Sequence, residues 1–112
     1  MVAFNFAFCE TWLVNVISRR ELFAAVNGHP ETRRFIADFY AVVHRALWRS
    51  LADVRKQYPS ADLVGQVLVI NVLGNNFRML FCVNFTYKAL FFKGLFTHTE
   101  YDRLNLETLC PR

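Results

Sequence analysis

Cysteine is scarce and ungrouped in this chain. Cys9, Cys82 and Cys110 are odd in number and far apart, and no Cys-x-x-Cys occurs. That argues against a disulfide framework or a structural zinc site, and for free thiols in a reducing cytoplasm. Cys82 falls inside a β-rich run and reads as a small core hydrophobe. No apolar run approaches the roughly 20 residues that a membrane-spanning helix needs, so no membrane partner is expected. Repeats, low-complexity tracts and linkers are absent. His29, His44 and His98 share no metal-ligand spacing, so neither a metal nor a cofactor is expected. The apolar start, Val2 to Phe8, lacks the basic region and small-residue cleavage site of a secretory leader, and Glu10 interrupts it. Residues 1–15 therefore read as a poorly ordered extension or a start codon assigned too far upstream, and residues 16–112 as one domain.

What is present is bulk and a mild basic excess. The 112 residues are 54% hydrophobic and 16% aromatic, with twelve Phe, enough for one core without staples. A net charge of +4 permits a nucleic-acid or acidic partner without establishing either. The basic pairs Arg19-Arg20, Arg33-Arg34 and Arg55-Lys56, with Arg45 and Arg49, mark helix faces that are ordinary solvated charge or, together, a track for an RNA backbone.

The patterning gives an α+β fold. Trp12 to Ile17 is β-rich and predicts a first strand. Ser18 with Glu21 is a capping-box pair, predicting a short helix that stops by Asn27-Gly28. Pro30 and Glu31 suit a helix start, and Phe35, Phe39, Val42, Val43 and Ala46 recur at helical spacing, predicting a long helix to near Trp48. Ser50 with Asp53 predicts a third helix, closed by Pro59. The period then changes to that of strands. Val67–Leu73, Phe77–Asn84 and Lys88–Phe96 form an antiparallel meander, a small twisted sheet with helices on one face.

Register decides which polar groups meet. With Asn75 and Asn76 as a two-residue loop, Leu73 faces Arg78 and Asn71 faces Leu80. With Phe85-Thr86 as the second turn, Arg78 faces Lys93 and Leu80 faces Phe91. One face then carries Phe77, Met79, Phe81, Leu90 and Phe92, to lie under helices. The other carries Asn71, Arg78, Asn84 and Lys93. Cations inside apolar strands are costly unless an anion or water receives them, so Arg78 and Lys93 together suit a phosphate. Beyond the last strand, Thr97-His98-Thr99-Glu100-Tyr101-Asp102 offers an imidazole, a phenol and carboxylates for proton transfer, and opens a short C-terminal helix or none. The bland alternative has Tyr101 packing, and Glu100 and Asp102 solvated or paired with Arg103. Phe85 and Tyr87 could stack on bases or pack.

At these residues the chain resembles the HigB-type toxins of bacterial toxin–antitoxin pairs, within the wider group of RelE-like toxins. The resemblance runs from Val16-Ile17-Ser18-Arg19 through Ala52-Asp53-Val54-Arg55 and Tyr58-Pro59-Ser60-Ala61. It continues through Asn71, Gly74-Asn75, Phe77-Arg78, Asn84, Tyr87 and Thr97 to Asp102. It implies a ribosome-dependent mRNA endonuclease acting in the A site by 2′-hydroxyl attack, without a metal. The implied partners are mRNA, the ribosome and a helix-turn-helix antitoxin (HigA-like), forming a hetero-oligomer. The implied catalytic residues are Arg78, Lys93, His98 and Tyr101, with Asn71, Asn75, Asn84, Tyr87 and Asp102 on the substrate. Three positions depart from the pattern: Lys93 stands for the usual Arg, Phe96 where Gly is frequent, and Leu73 where Lys is common. A catalytically degenerate module that only binds an antitoxin or RNA is the alternative.

Overall fold

A computed structural model describes residues 15–17 and 19–110. Of the expected extension over residues 1–15, all but Asn15 lies outside the described residues, as do Cys9 and the capping residue Ser18. The architecture is α+β, as the patterning predicts. β1 (Asn15–Ile17) leads to α1 (Arg19–Ala25), a 3₁₀ turn (Pro30–Thr32), α2 (Arg33–Val43) and α3 (Leu51–Gln57). β2 (Asp62–Val64), β3 (Val67–Val72), β4 (Phe77–Asn84) and β5 (Ala89–Thr97) follow, then α4 (His98–Asp102) and a second 3₁₀ turn (Leu106–Thr108). The sheet order is β1-β5-β4-β3-β2, with β1 parallel to β5 and the other pairs antiparallel.

The three helices form one layer because their apolar stripes meet the inner sheet face. Leu22, Ile36, Phe39, Val43 and Val54 are fully buried against Leu68, Ile70, Met79, Phe81 and Leu90. Phe39 stacks on Phe81 with ring centroids 5.4 Å apart, and Trp48 and Tyr58 close around Phe39. The sequence predicts α2 to run to near Trp48, but it stops at Val43. The chain turns at His44 and Arg45, which lets Trp48 enter the core and donate from Nε1 to Gln57 Oε1 at 2.8 Å. At the start of α3 the Ser50 side chain makes no cap bond. Asp53 Oδ2 instead accepts from the Arg49 backbone N–H, satisfying a donor just outside the helix.

The outer sheet face is covered as well, which is why β3 is apolar on both faces from Val67 to Ile70. From α4 onward the chain crosses this face as a strap, laying Tyr101 of the helix and then Leu104, Leu106 and Leu109 over Val67, Val69 and Leu80. A disulfide joins Cys82 to Cys110 across 28 residues, with Cα atoms 5.7 Å apart. This overturns the free-thiol reading for these two cysteines. Cys82 is buried, as a small core residue would be, but on the outer face: strand alternation points it there, and the strap returns Cys110 to meet it. Spacing along the chain carries no trace of that return. In the chain-entropy view, closing a loop of this size stabilises the fold by about 3–4 kcal/mol.

Both predicted registers shift by two residues, because each hairpin loop holds four residues rather than two. In the first, Leu73 (φ 54°) and Gly74 (φ 69°) turn the chain in the left-handed region, so Asn71 pairs with Arg78 and Val72 with Phe77. In the second, the Asn84 side chain accepts from the Tyr87 backbone N–H at 3.0 Å and Lys88 takes φ 56°, so Asn84 pairs with Ala89. An even shift preserves faces. Phe77, Met79, Phe81, Leu90 and Phe92 therefore do lie on the helix side. A β-bulge then intervenes: Phe81 pairs with Phe92 but Leu80 with Gly94, leaving Lys93 as the extra residue.

Candidate active site on the outer face of the sheet

The bulge decides what Arg78 meets. Its partner on β5 is Phe96, not Lys93, and Leu80 faces Gly94 rather than Phe91. Lys93 is still presented near the outer face, since it lines a pocket with Cys82 and Asn84. By strand rise, however, it sits about 8–9 Å along the sheet from Arg78. The two cations share a surface, with their backbone positions offset along it. Asn84 lies six residues from Arg78 on the same strand, hence about 20 Å away. Tyr87 is in the turn beyond it and is 78% exposed.

At the Arg78 end the polar groups do converge. Asn71 is half-buried on β3, directly opposite Arg78. The Arg78 guanidinium donates to the Asn75 carbonyl at 3.3 Å and to its neighbour Phe77's carbonyl at 3.4 Å. Its other side lies over the Tyr101 ring, 5.5 Å from the centroid, a cation–π platform. Among the described residues Arg78 has no carboxylate partner, so its charge is left for a ligand.

α4 is brought here by a capping box. Thr97 Oγ1 accepts from the Glu100 N–H at 3.2 Å, and Glu100 Oε1 accepts from the Thr97 N–H at 2.9 Å. The His98 N–H donates to the Asn76 carbonyl at 3.2 Å, stitching the helix start to the β3–β4 loop. Within the helix, His98 Nε2 lies 3.7 Å from Asp102 Oδ2, and both side chains are more than half exposed, at 55% and 58%. Glu100 is thus occupied in capping and Tyr101 in packing, while His98 and Asp102 form a solvent-facing pair. Imidazole, carboxylate, guanidinium and two Asn residues make a shallow polar surface suited to a phosphodiester, with a proton acceptor beside it.

The remaining histidines sit elsewhere. The His29 carbonyl accepts from the Thr32 hydroxyl and N–H, and its ring lies 4.8 Å from that of Phe77; His44 stacks on Tyr40. Among the described residues no group of three or more His, Cys, Asp or Glu is placed to hold a metal, and no helix is long and apolar enough to cross a membrane. Sequence reasoning missed the bulge at Lys93 and the role of Glu100, although Thr97-x-x-Glu100 is itself a capping-box signature. Phe96 has a definite role: its ring folds over Gly94, where a Cβ would come within 2.5 Å of it.

Comparison with known proteins places the chain in a family. Residues 32–104 match the family HigB_toxin, described as the RelE-like toxic component of a toxin–antitoxin system. The chain is also similar to a protein named mRNA interferase HigB from Escherichia coli O6:H1. The two are 26% identical over 94 residues, covering 81% of this chain and 91% of the relative. With the family match spanning more than half of its length, this chain belongs to the HigB_toxin family of RelE-like toxins.

Proposed function

We propose that this toxin is an endoribonuclease that cuts mRNA in the ribosomal A site, and that an antitoxin of helix-turn-helix type neutralises it in the cytoplasm. The relative's printed name supports the mRNA substrate. The observation that carries the chemistry is the Arg78 guanidinium, held on Tyr101 and free of any carboxylate among the described residues, on the same side as the His98–Asp102 pair.

In the proposed step the 2′-hydroxyl attacks the adjacent phosphate, forming a cyclic phosphate and expelling the 5′-oxygen. Charge accumulates on the phosphorane oxygens, where a preorganised cation acts most strongly. Arg78 supplies it. His98 takes the proton of the 2′-hydroxyl and returns it to the departing 5′-oxygen, and the Asp102 carboxylate orients the ring. Asn71 and Asn75 position the strand. Tyr101 acts through Arg78 as a platform, and Lys93, displaced along β5 by the bulge, is assigned no part in this reading.

The test is to add the purified toxin to translating ribosomes and map mRNA 5′ ends. Codon-phased cuts that disappear in Arg78→Ala, with antitoxin binding unchanged, are expected. Wild-type cutting by Arg78→Ala would reject the assignment, and no cutting by either protein would favour a module that only binds.

A further inference from the structure

A pocket of about 310 Å³ opens beside the disulfide, and Gln66, Cys82, Asn84, Phe91, Lys93 and Cys110 are among its lining residues. Both bonded cysteines therefore face a space large enough for a small molecule. The Lys93 ammonium at its wall has no carboxylate partner among the described residues, so it attracts anions.

The strap that ends at this bond has little else to fasten it. From Arg103 to Leu109 its conventional hydrogen bonds, among the described residues, run within the strap itself or back to α4. Against the sheet it has the apolar contacts of Leu104, Leu106 and Leu109 and the covalent link.

We propose that Cys82–Cys110 is a reversible redox site, opened by a small anionic thiol of the glutathione class entering this pocket, and that its opening frees the strap. A thiolate attacks Cys110 Sγ. The sulfur–sulfur bond breaks, and its electron pair leaves on Cys82 Sγ, in the pocket that Lys93 lines. A second thiolate attacks the mixed disulfide on Cys110 and expels that sulfur. Two small thiols become one disulfide, the protein bond gains two electrons, and the two protons end on the cysteines. In the bonded structure Cys82 Sγ lies 3.6 Å from the Leu109 carbonyl and Cys110 Sγ 3.8 Å from the Gln66 carbonyl, so the freed thiols have only weak acceptors nearby in place of a covalent bond. The strap begins in α4, so its release also loosens Tyr101 beneath Arg78; this last consequence rests on the proposed nuclease site.

The test takes the oxidised full chain, reduces it with glutathione or with uncharged 2-mercaptoethanol, and follows alkylation of Cys82 and Cys110 by peptide mass. Trypsin cleavage after the exposed Arg103 reports the strap. Both cysteines should label together, and cleavage at Arg103 should quicken on reduction and slow again with glutathione disulfide. Lys93→Gln should slow glutathione about tenfold, the low end of electrostatic steering, and leave 2-mercaptoethanol unchanged. Cys110→Ser should be cleaved quickly with no thiol present. Equal cleavage of oxidised and reduced chains, or a Lys93→Gln effect independent of thiol charge, overturns the proposal. None of these readouts uses RNA, so they stand or fall apart from the nuclease activity.

Discussion

The two ends of the outer sheet face are built from similar residues and differ in what those residues are free to do. At one end Arg78 projects from β4 with no counter-charge among the described residues and is braced by Tyr101, while His98 and Asp102 hold solvent-facing positions on a capped helix. At the other end Asn84 is spent on its own turn, Tyr87 stands in solvent, and Lys93 is displaced by a bulge into a pocket beside a disulfide. Residue type alone would rank the ends equally. What separates them is support: a reactive constellation needs neighbours that fix its geometry.

The sharpest way to break this comparison is to remove one group from each end. Arg78→Ala should lower the rate of RNA cleavage by about 10²–10³, whereas Asn84→Ala and Tyr87→Ala should change it by less than about threefold, within what a surface substitution does to a fold. Single-turnover rates that fall equally at both ends would erase the distinction.

Tyr101 sharpens it further. If the ring is a platform, Tyr101→Phe retains activity and Tyr101→Ala loses about 3- to 30-fold, the value of a cation–π contact of roughly 0.5–2 kcal/mol. A phenol that moves a proton would instead make both variants equally slow. The pH dependence of kcat in Tyr101→Phe is the measurement.

A smaller effect is expected at the loop that sets the first register. Leu73 holds φ 54° while 39% exposed. A non-glycine residue there carries strain of about 1–2 kcal/mol that Asn tolerates better. Leu73→Asn should therefore raise the thermal midpoint by a few degrees, roughly 0.5–1 kcal/mol, with Asn71 and Arg78 still paired.

The smallest effect lies away from both ends. The backbone N–H of Arg49 holds the Asp53 carboxyl below its ordinary value of 3.8, with Lys56 adding to the shift. A depressed carboxyl contributes stability that is present above its unfolded value and is lost as pH falls through the folded one. Denaturant midpoints of wild type and Asp53→Asn should differ slightly at neutral pH and converge on acidification. A gap that widens in acid would contradict the assignment.

The order of elements and the inner face were legible because bulk and period suffice for them. Phe77, Met79 and Phe81 alternate, and only one side of such a strand can meet Phe39 and Ile36. The site was legible in part. Asn71 and Arg78 share a face under any even shift of register, and the polar motif after β5 announced itself. Two features could not be read. The bulge at Lys93 is a one-residue irregularity whose cause is tertiary: Phe92 and Leu95 both reach the core although three residues apart, and Phe96 folds over Gly94. The disulfide depends on the strap crossing the sheet, a path set by Leu104, Leu106 and Leu109 covering Val67 and Leu80. Odd cysteine number and wide spacing then pointed the wrong way.

The parallel pairing of Asn15 with Ala89 spans 89 − 15 = 74 positions. During synthesis β1 must wait for the final strand, and the apolar sides of the three helices stay uncovered until the hairpins emerge. Contacts of such range form slowly and leave greasy surface exposed meanwhile. A protein of this design has no finished sheet until nearly all of it has left the exit tunnel, and a polypeptide truncated before β5 would lack the strand that β1 pairs with.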